Sequence, residues 1–201
     1  MKVAAVVLAA GRSERMGRPK ALLPCRGKTF LRTILESLAS SRVAEVRVVL
    51  GDGANEIRRL EALAGDIVVH NPRYEEGMLS SVRCGIRSLP ADVSAFLLWP
   101  VDHPLVRAAT VDRLVLTFEA GARGIVLPVH GGRRGHPTLF AARMASELLA
   151  APDAVGARAV LRDRPEEVLE ILVDDWGVVT NIDTPEAYLE VFGRLPGDEP
   201  S

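Results

Sequence analysis

At 201 residues, 48% of them hydrophobic and 25% charged, the chain has the size and balance of a compact domain with a continuous core. Its formal net charge of -1 argues against a surface that coats nucleic acid, because phosphate backbones are held by an excess of Lys and Arg; a free nucleotide needs only a local basic patch. Cys25 and Cys84 lack metal-ligand spacing and read as thiols of a reducing compartment, which points to the cytoplasm.

The chain opens with Met1-Lys2 and an apolar run to Ala10. The run has the outline of a short secretory signal, yet its length and the Arg-rich stretch behind it favour a strand. Apolar, β-branched strands are predicted at Val3–Ala9, 46–50, 67–70, Ala95–Pro100, 125–129 and 168–173. Helical patterns lie between them. Phe30, Leu31, Ile34, Leu35 and Leu38 share one helical face, as do Ile57, Leu60, Leu63 and Ala64, and further helices are predicted over 79–88, 110–119, 142–150 and Pro185–Phe192. Alternating strands and helices, with strands apolar throughout, give an α/β fold of three layers: a mostly parallel sheet with helices on both faces. An antiparallel edge strand is expected near 138–140. Residues 1–192 read as a single domain and 193–201, ending GDEPS, as a frayed tail. No stretch approaches the roughly 20 apolar residues of a membrane span.

In open parallel sheets, ligands bind beyond the carboxyl ends of the strands. The polar loops expected there are 10–20, 71–81, 102–104 and 130–137. The first is cationic, since Arg12, Arg15, Arg18, Lys20, Arg26 and Lys28 stand against Glu14 alone within 12–28. Gly11 and Gly17 leave backbone N–H groups free to face an anion, Arg15 can fork to phosphate oxygens, and Lys20 can place a point charge beside them. A polyphosphate is the natural ligand. The spacing is neither the G-x-G-x-x-G of dinucleotide folds nor the Gly-Lys-Ser/Thr of a P-loop. On composition alone, arginines solvated at a surface explain the loop as well.

Order and placement go further. LAAGRSERMGRPKALLP at 8–24 resembles the amino-terminal signature of nucleotidyltransferases that attach a nucleotide to a phosphorylated acceptor. Within that superfamily the chain is most similar to the molybdenum cofactor nucleotidyltransferases, through NPRYEEGMLSSVRCGI, PVDHPLV, GHPTLF and NIDTPEAY in the expected order. The resemblance covers nearly the whole chain and implies a Rossmann-like nucleotidyltransferase fold. It also implies that Leu8, Ala9, Ala10, Gly11, Arg12, Arg15 and Lys20 hold the nucleotide phosphates. LAAG rather than LAGG is the form associated with cytidine nucleotides, so CTP is the expected donor.

Asp102 follows the apolar FLLWP and suits a hard cation, although a simple turn residue is an equal reading. Asp183 stands before Thr184-Pro185-Glu186, which also looks like a helix cap with an early proline. The resemblance implies that both aspartates ligate magnesium, leaving Thr184 as the cap. It assigns Asn71, Gly77, Met78, Ser80 and Ser81 to the base and ribose, where ordinary capping by Ser80 is the plain alternative. It places Gly135, His136 and Pro137 on the acceptor side, with Arg133 and Arg134 able to attract an anionic pterin phosphate. His103 replaces the Met or Gln usual in the middle of PVD-x-P-L and receives no chemical role.

The implied reaction is attack by the acceptor's terminal phosphate on the α-phosphorus of CTP, releasing pyrophosphate. A phosphate monoester, with a second pKa of about 6, needs no dedicated base. Catalysis then rests on alignment and charge neutralisation by magnesium, Lys20, Arg15 and loop amides. The expected partners are the nucleotide, a phosphorylated pterin cofactor and, transiently, a molybdoenzyme or its chaperone. Guanylyl transfer, a sugar or alcohol phosphate acceptor, and a non-catalytic nucleotide-binding cofactor chaperone are the rival readings.

Overall fold

The computed structural model describes residues 1–121, 123–153 and 156–196. In chain order the strands are β1 (Val3–Ala9), β2 (Pro24–Cys25), β3 (Lys28–Thr29), β4 (Glu45–Leu50), β5 (Val68–His70), β6 (Ala95–Pro100), β7 (Ile125–His130), β8 (Arg133–Arg134), β9 (Thr138–Ala141) and β10 (Val168–Leu172). The α-helices are α1 (Phe30–Ala39), α2 (Ala54–Leu60), α3 (Met78–Arg87), α4 (Ala108–Glu119), α5 (Ala145–Ala150), α6 (Arg158–Asp163) and α7 (Pro185–Phe192).

The main sheet runs β10-β7-β9-β6-β1-β4-β5, with β8 paired to β7. β1 is central and parallel to β4 on one side and β6 on the other. Each of its residues is buried, because the pleat sends Val3, Ala5, Val7 and Ala9 into one apolar layer and Ala4, Val6 and Leu8 into the other. The first layer receives Phe30, Leu31, Ile34 and Leu38 of α1, Val111 and Leu114 of α4, and Tyr188 of α7. The second receives Leu79, Val82 and Ile86 of α3, Leu148 of α5, and Ala159 and Val160 of α6. Each large apolar side chain moved into these layers contributes about 1.5–3 kcal/mol before its entropy cost.

The α/β class, strands at the six predicted places and helices on both faces are as the apolar pattern predicts, although β5 has only three residues. The antiparallel strand near 138–140 is present but lies inside the sheet, between β6 and β7 and antiparallel to both. Its four residues, TLFA, are all buried, which suits a strand with two neighbours better than an edge. The helix predicted through Ala64 ends at Leu60. Ala62 takes a left-handed φ of 48°, and the Glu61 carboxylate turns towards α1, where Thr29 Oγ1 donates to it at 2.7 Å and Arg32 Nε lies 3.3 Å away. The β2–β3 hairpin, β8 and α6 are too short to show a hydrophobic period. Of the predicted tail, residues 197–201 lie outside the described residues.

Candidate functional site

β1, β4, β5 and β6 run parallel, so the loops after them open on one side of the sheet. The first of these loops folds as two short 3-10 turns, Glu14–Met16 and Lys20–Leu22. Ser13 Oγ accepts the Lys20 backbone N–H at 3.0 Å and closes the loop on itself. The Lys20 side chain thereby points across the sheet to the carboxylates that follow β6 and precede α7. Its Nζ pairs with Asp183 Oδ1 and lies 3.6 Å from Asp102 Oδ2. Arg15 takes the other Asp183 oxygen.

Two local features bring the aspartates together. The Ile182 N–H donates to the Asp102 carbonyl at 2.8 Å, which seats Asp183 beside the β6 loop. Thr184 Oγ1 accepts the Ala187 N–H at 3.2 Å and caps α7, leaving the Asp183 carboxylate free for the cations. The side chains of Lys20, Asp102 and Asp183 are 17%, 13% and 21% exposed, so the charges meet in a partly dry setting where each counts for more than at the surface. Burial holds the Lys20 ammonium below the usual lysine range, with the Asp102 charge opposing the shift.

These groups border a cavity of about 250 Å³ lined by Leu8 and Ala9 at the end of β1, by Ala10 and Gly11 of the first loop, by Tyr74, Gly77, Met78 and Ser81, and by Asp102. A polar recess of about 260 Å³ adjoins it, between Arg12, Arg15, Lys20 and Asp183. The first loop and both aspartates therefore converge as the sequence predicts. Asn71 and Ser80 do not line either space. Asn71 Nδ2 donates to Ser80 Oγ at 2.8 Å and Ser81 Oγ at 3.0 Å, Asn71 Oδ1 accepts the Arg73 N–H, and the Ser80 hydroxyl turns to the carbonyls of Arg73 and Gly77. The pair braces the loop while Gly77 and Ser81 face the cavity. Ser80 is not the helix cap either; Gly77 holds that position.

Sequence reasoning missed Tyr74, which forms a wall of the cavity with the Arg12 guanidinium 5.9 Å from its ring centre. Arg12 also pairs with Glu75. An aromatic inside NPRYEEG, next to acids that match a basic loop, was the available signal.

Gly135 and His136 border a different cavity of about 460 Å³, floored by Leu98, Leu127, Phe140 and Leu161 and edged by Arg134, Arg158 and Arg162. Arg134 is drawn to Glu170 and Arg133 is exposed. Arg158 and Arg162 were not anticipated, because α6 is a single short helix. The His136 and His103 ring centres lie 4.8 Å apart, bridging from this cavity towards Asp102. Burial pushes both imidazoles down to about 4, so both are neutral near pH 7. Among the described residues, Asp102 Oδ1, His103 Nδ1 and His136 Nδ1 are buried polar atoms with no hydrogen-bond partner. Three such atoms lie together beside the two rings, leaving polar capacity there that the fold itself does not use.

Similarity to known proteins agrees with this geometry. The chain is 27% identical over 190 residues to the molybdenum cofactor cytidylyltransferase of Escherichia coli K12, covering 94% of this chain and 95% of that one. It is 34% identical over 192 residues to the nicotine blue oxidoreductase of Paenarthrobacter nicotinovorans, covering 92% and 93%. The crystal structure of Rv0371c from Mycobacterium tuberculosis H37Rv superposes with a TM-score of 0.82 at 27% identity, over 97% of this chain and all of that one. A manganese complex of the same protein superposes with a TM-score of 0.74 at 25% identity, over 97% and 100%. The model of the MobA-like NTP transferase domain matches residues 5–168, and the chain belongs to that nucleotidyltransferase family.

Proposed function

We propose that the chain transfers CMP from CTP to the terminal phosphate of a molybdopterin-type cofactor and releases pyrophosphate. The observation that carries this reading is the meeting of Lys20 with Asp102 and Asp183 at the mouth of the first-loop cavity. In this reading the backbone of Leu8–Gly11 and the side chains of Arg12, Arg15 and Lys20 receive the triphosphate. Gly77 and Ser81 face the nucleoside, and Asn71 and Ser80 hold that loop in shape. The acceptor lies on the side of Gly135, His136 and Pro137, where an apolar floor with arginines at its edge suits a flat ring system bearing phosphate.

A divalent cation, magnesium, fits the aspartates. Their donors are hard oxygens, and Asp102 Oδ1 is buried without a partner. Among the described residues no group of three or more His, Cys, Asp or Glu is arranged as a complete cage. Two carboxylates would leave the remaining positions of such a cation to water and substrate phosphates. Asp102 and Asp183 would hold it, and it would supply neutralisation of phosphate charge. Lys20 and Arg15, which pair with these carboxylates, would supply the positive charge that meets the nucleotide's phosphates. No residue need act as base, because the attacking phosphate is already ionised near pH 7.

Residues 1–192 act as one catalytic unit in this proposal, with 193–201 as a tail, in the cytoplasm and in transient contact with a molybdoenzyme or its chaperone. Among the described residues no helix is long and apolar enough to cross a membrane. The test is a screen of the four NTPs with molybdopterin, reading pyrophosphate release and the nucleotide joined to the pterin. CTP-dependent release supports the proposal, and GTP dependence moves it to guanylyl transfer. The 34% identity to an oxidoreductase favours one second reading, electron transfer to a dye-like substrate. Redox turnover of nicotine blue by the chain, with no pyrophosphate release from any of the four NTPs, would establish it instead.

A further inference from the structure

The three segments that carry Asp102, His136 and Asp183 all lean on one short turn, the 3-10 helix Trp176–Val179. Val178 carbonyl oxygen accepts the His136 N–H at 2.8 Å. Gly135 lies so close that an added Cβ would meet that same oxygen at 2.4 Å. Gly177 lies against the segment after Asp102, where a Cβ would meet the Leu105 carbonyl oxygen at 2.4 Å. Ile182, three residues past the turn, donates to the Asp102 carbonyl. The turn is thus wedged between the acceptor-side loop and the β6 loop, and its far end delivers Asp183.

Asp175 fixes this wedge. It is 2% exposed, and no charge so buried is retained without partners. Its Oδ1 accepts the Gly177 N–H at 3.2 Å and caps the turn. Its Oδ2 accepts the Arg107 N–H at 2.9 Å and the Thr110 hydroxyl at 2.6 Å, both from the start of α4. Arg107 Nε lies 3.5 Å from the carboxylate. One carboxylate therefore locks the turn that precedes Asp183 to the helix that follows Asp102.

We infer that Asp175 is a positioning residue that sets the spacing of Asp102 and Asp183, and through it the cation that couples them to nucleotide. The inference rests on the proposed role of those two aspartates. Supporting shells of this kind are worth on the order of 10–100-fold in metal affinity or activity when broken.

The test is calorimetric binding of CTP, with GTP in parallel, to the whole protein with and without magnesium. The wild type is expected to bind more tightly with the metal. Asp175→Ala is expected to lose about tenfold of that gain, while metal-free affinity, set by the first loop, changes less than about twofold. Asp175→Asn keeps an acceptor for α4 but turns an amide towards the Gly177 N–H, so it falls between the two. A purely structural role for Asp175 lowers the unfolding temperature and leaves the magnesium gain intact, which overturns the inference. If Asp175→Ala does not fold, Asp175→Asn and Thr110→Val decide: an undiminished gain in both overturns it. Asp102→Ala separates the two levels. If it too keeps the full gain, the metal reading has failed; if it loses the gain while the Asp175 variants keep it, only the positioning role has.

Discussion

The ammonium of Lys20 lies 3.6 Å from the carboxylate of Asp102, although the two come from the loop after β1 and the loop after β6. Because neither is more than a fifth exposed, the pair holds charge that a phosphate can claim from one side and a cation from the other. Lys20→Ala and Asp102→Ala are each expected to cut pyrophosphate release by on the order of 10²–10³. Both variants should keep a wild-type circular dichroism spectrum, since neither side chain packs in the apolar layers. Full activity in Asp102→Ala would remove the basis of the proposed mechanism.

How much of this was legible in the sequence follows from range. β1 announces itself because seven consecutive buried residues leave no polar position, and the cationic loop behind it is contiguous in sequence. Asp102 and Asp183 were legible as loop carboxylates, each with a turn or cap explanation equally available. They become neighbours through long-range contacts such as the Ile182–Asp102 backbone bond and the Lys20 ammonium between them, and no local pattern encodes these. Asn71 and Ser80 show the opposite case. Their residue types suit ribose recognition, but an amide flanked by two serines in one folded loop satisfies itself first. The interior place of β9 was hidden for a similar reason: a four-residue apolar run does not reveal how many neighbours it has.

The neutral pair His103 and His136 makes stability depend on pH. Each has its folded-state value lowered from 6.5 to about 4 by burial, so the unfolded chain binds more protons in between. Stability is therefore full above pH 6.5 and declines as pH falls towards 4, by on the order of 3 kcal/mol for each histidine that must be charged. Urea unfolding at a series of pH values should show this slope, and His136→Gln should flatten part of it. A slope of opposite sign between pH 6.5 and 4 would mean that these rings are charged in the folded protein.

Glu61 supplies a prediction remote from the site. It is 4% exposed and is held by Thr29 and Arg32 at the start of α1. Arg32→Ala leaves the carboxylate buried without its countercharge and is expected to destabilise the fold by about 3 kcal/mol. Glu61→Gln keeps an oxygen for the Thr29 hydroxyl and removes the charge, so it should cost less. Nucleotide affinity should be unchanged in both, since α1 does not line the cavity. Denaturant midpoints and nucleotide titrations check the two halves separately.

Tyr74 makes the last test, because its ring forms a wall of the cavity while the rest of the side chain packs over the end of β4. An added Cβ on Gly51 would meet the Tyr74 Cβ at 2.6 Å, so the residue is seated by backbone and cannot swing far. A fixed aromatic wall beside Gly77 and Ser81 offers a face to a nucleoside, and such stacking is worth about 1–3 kcal/mol. Tyr74→Ala is accordingly expected to weaken CTP binding by about tenfold or more, and Tyr74→Phe, which keeps the ring, by little. Arg12→Ala separates stacking from the cation over the ring: it should weaken triphosphate binding more than cytidine binding. Equal affinity of Tyr74→Ala and wild type for CTP would assign the ring to holding Arg12 alone.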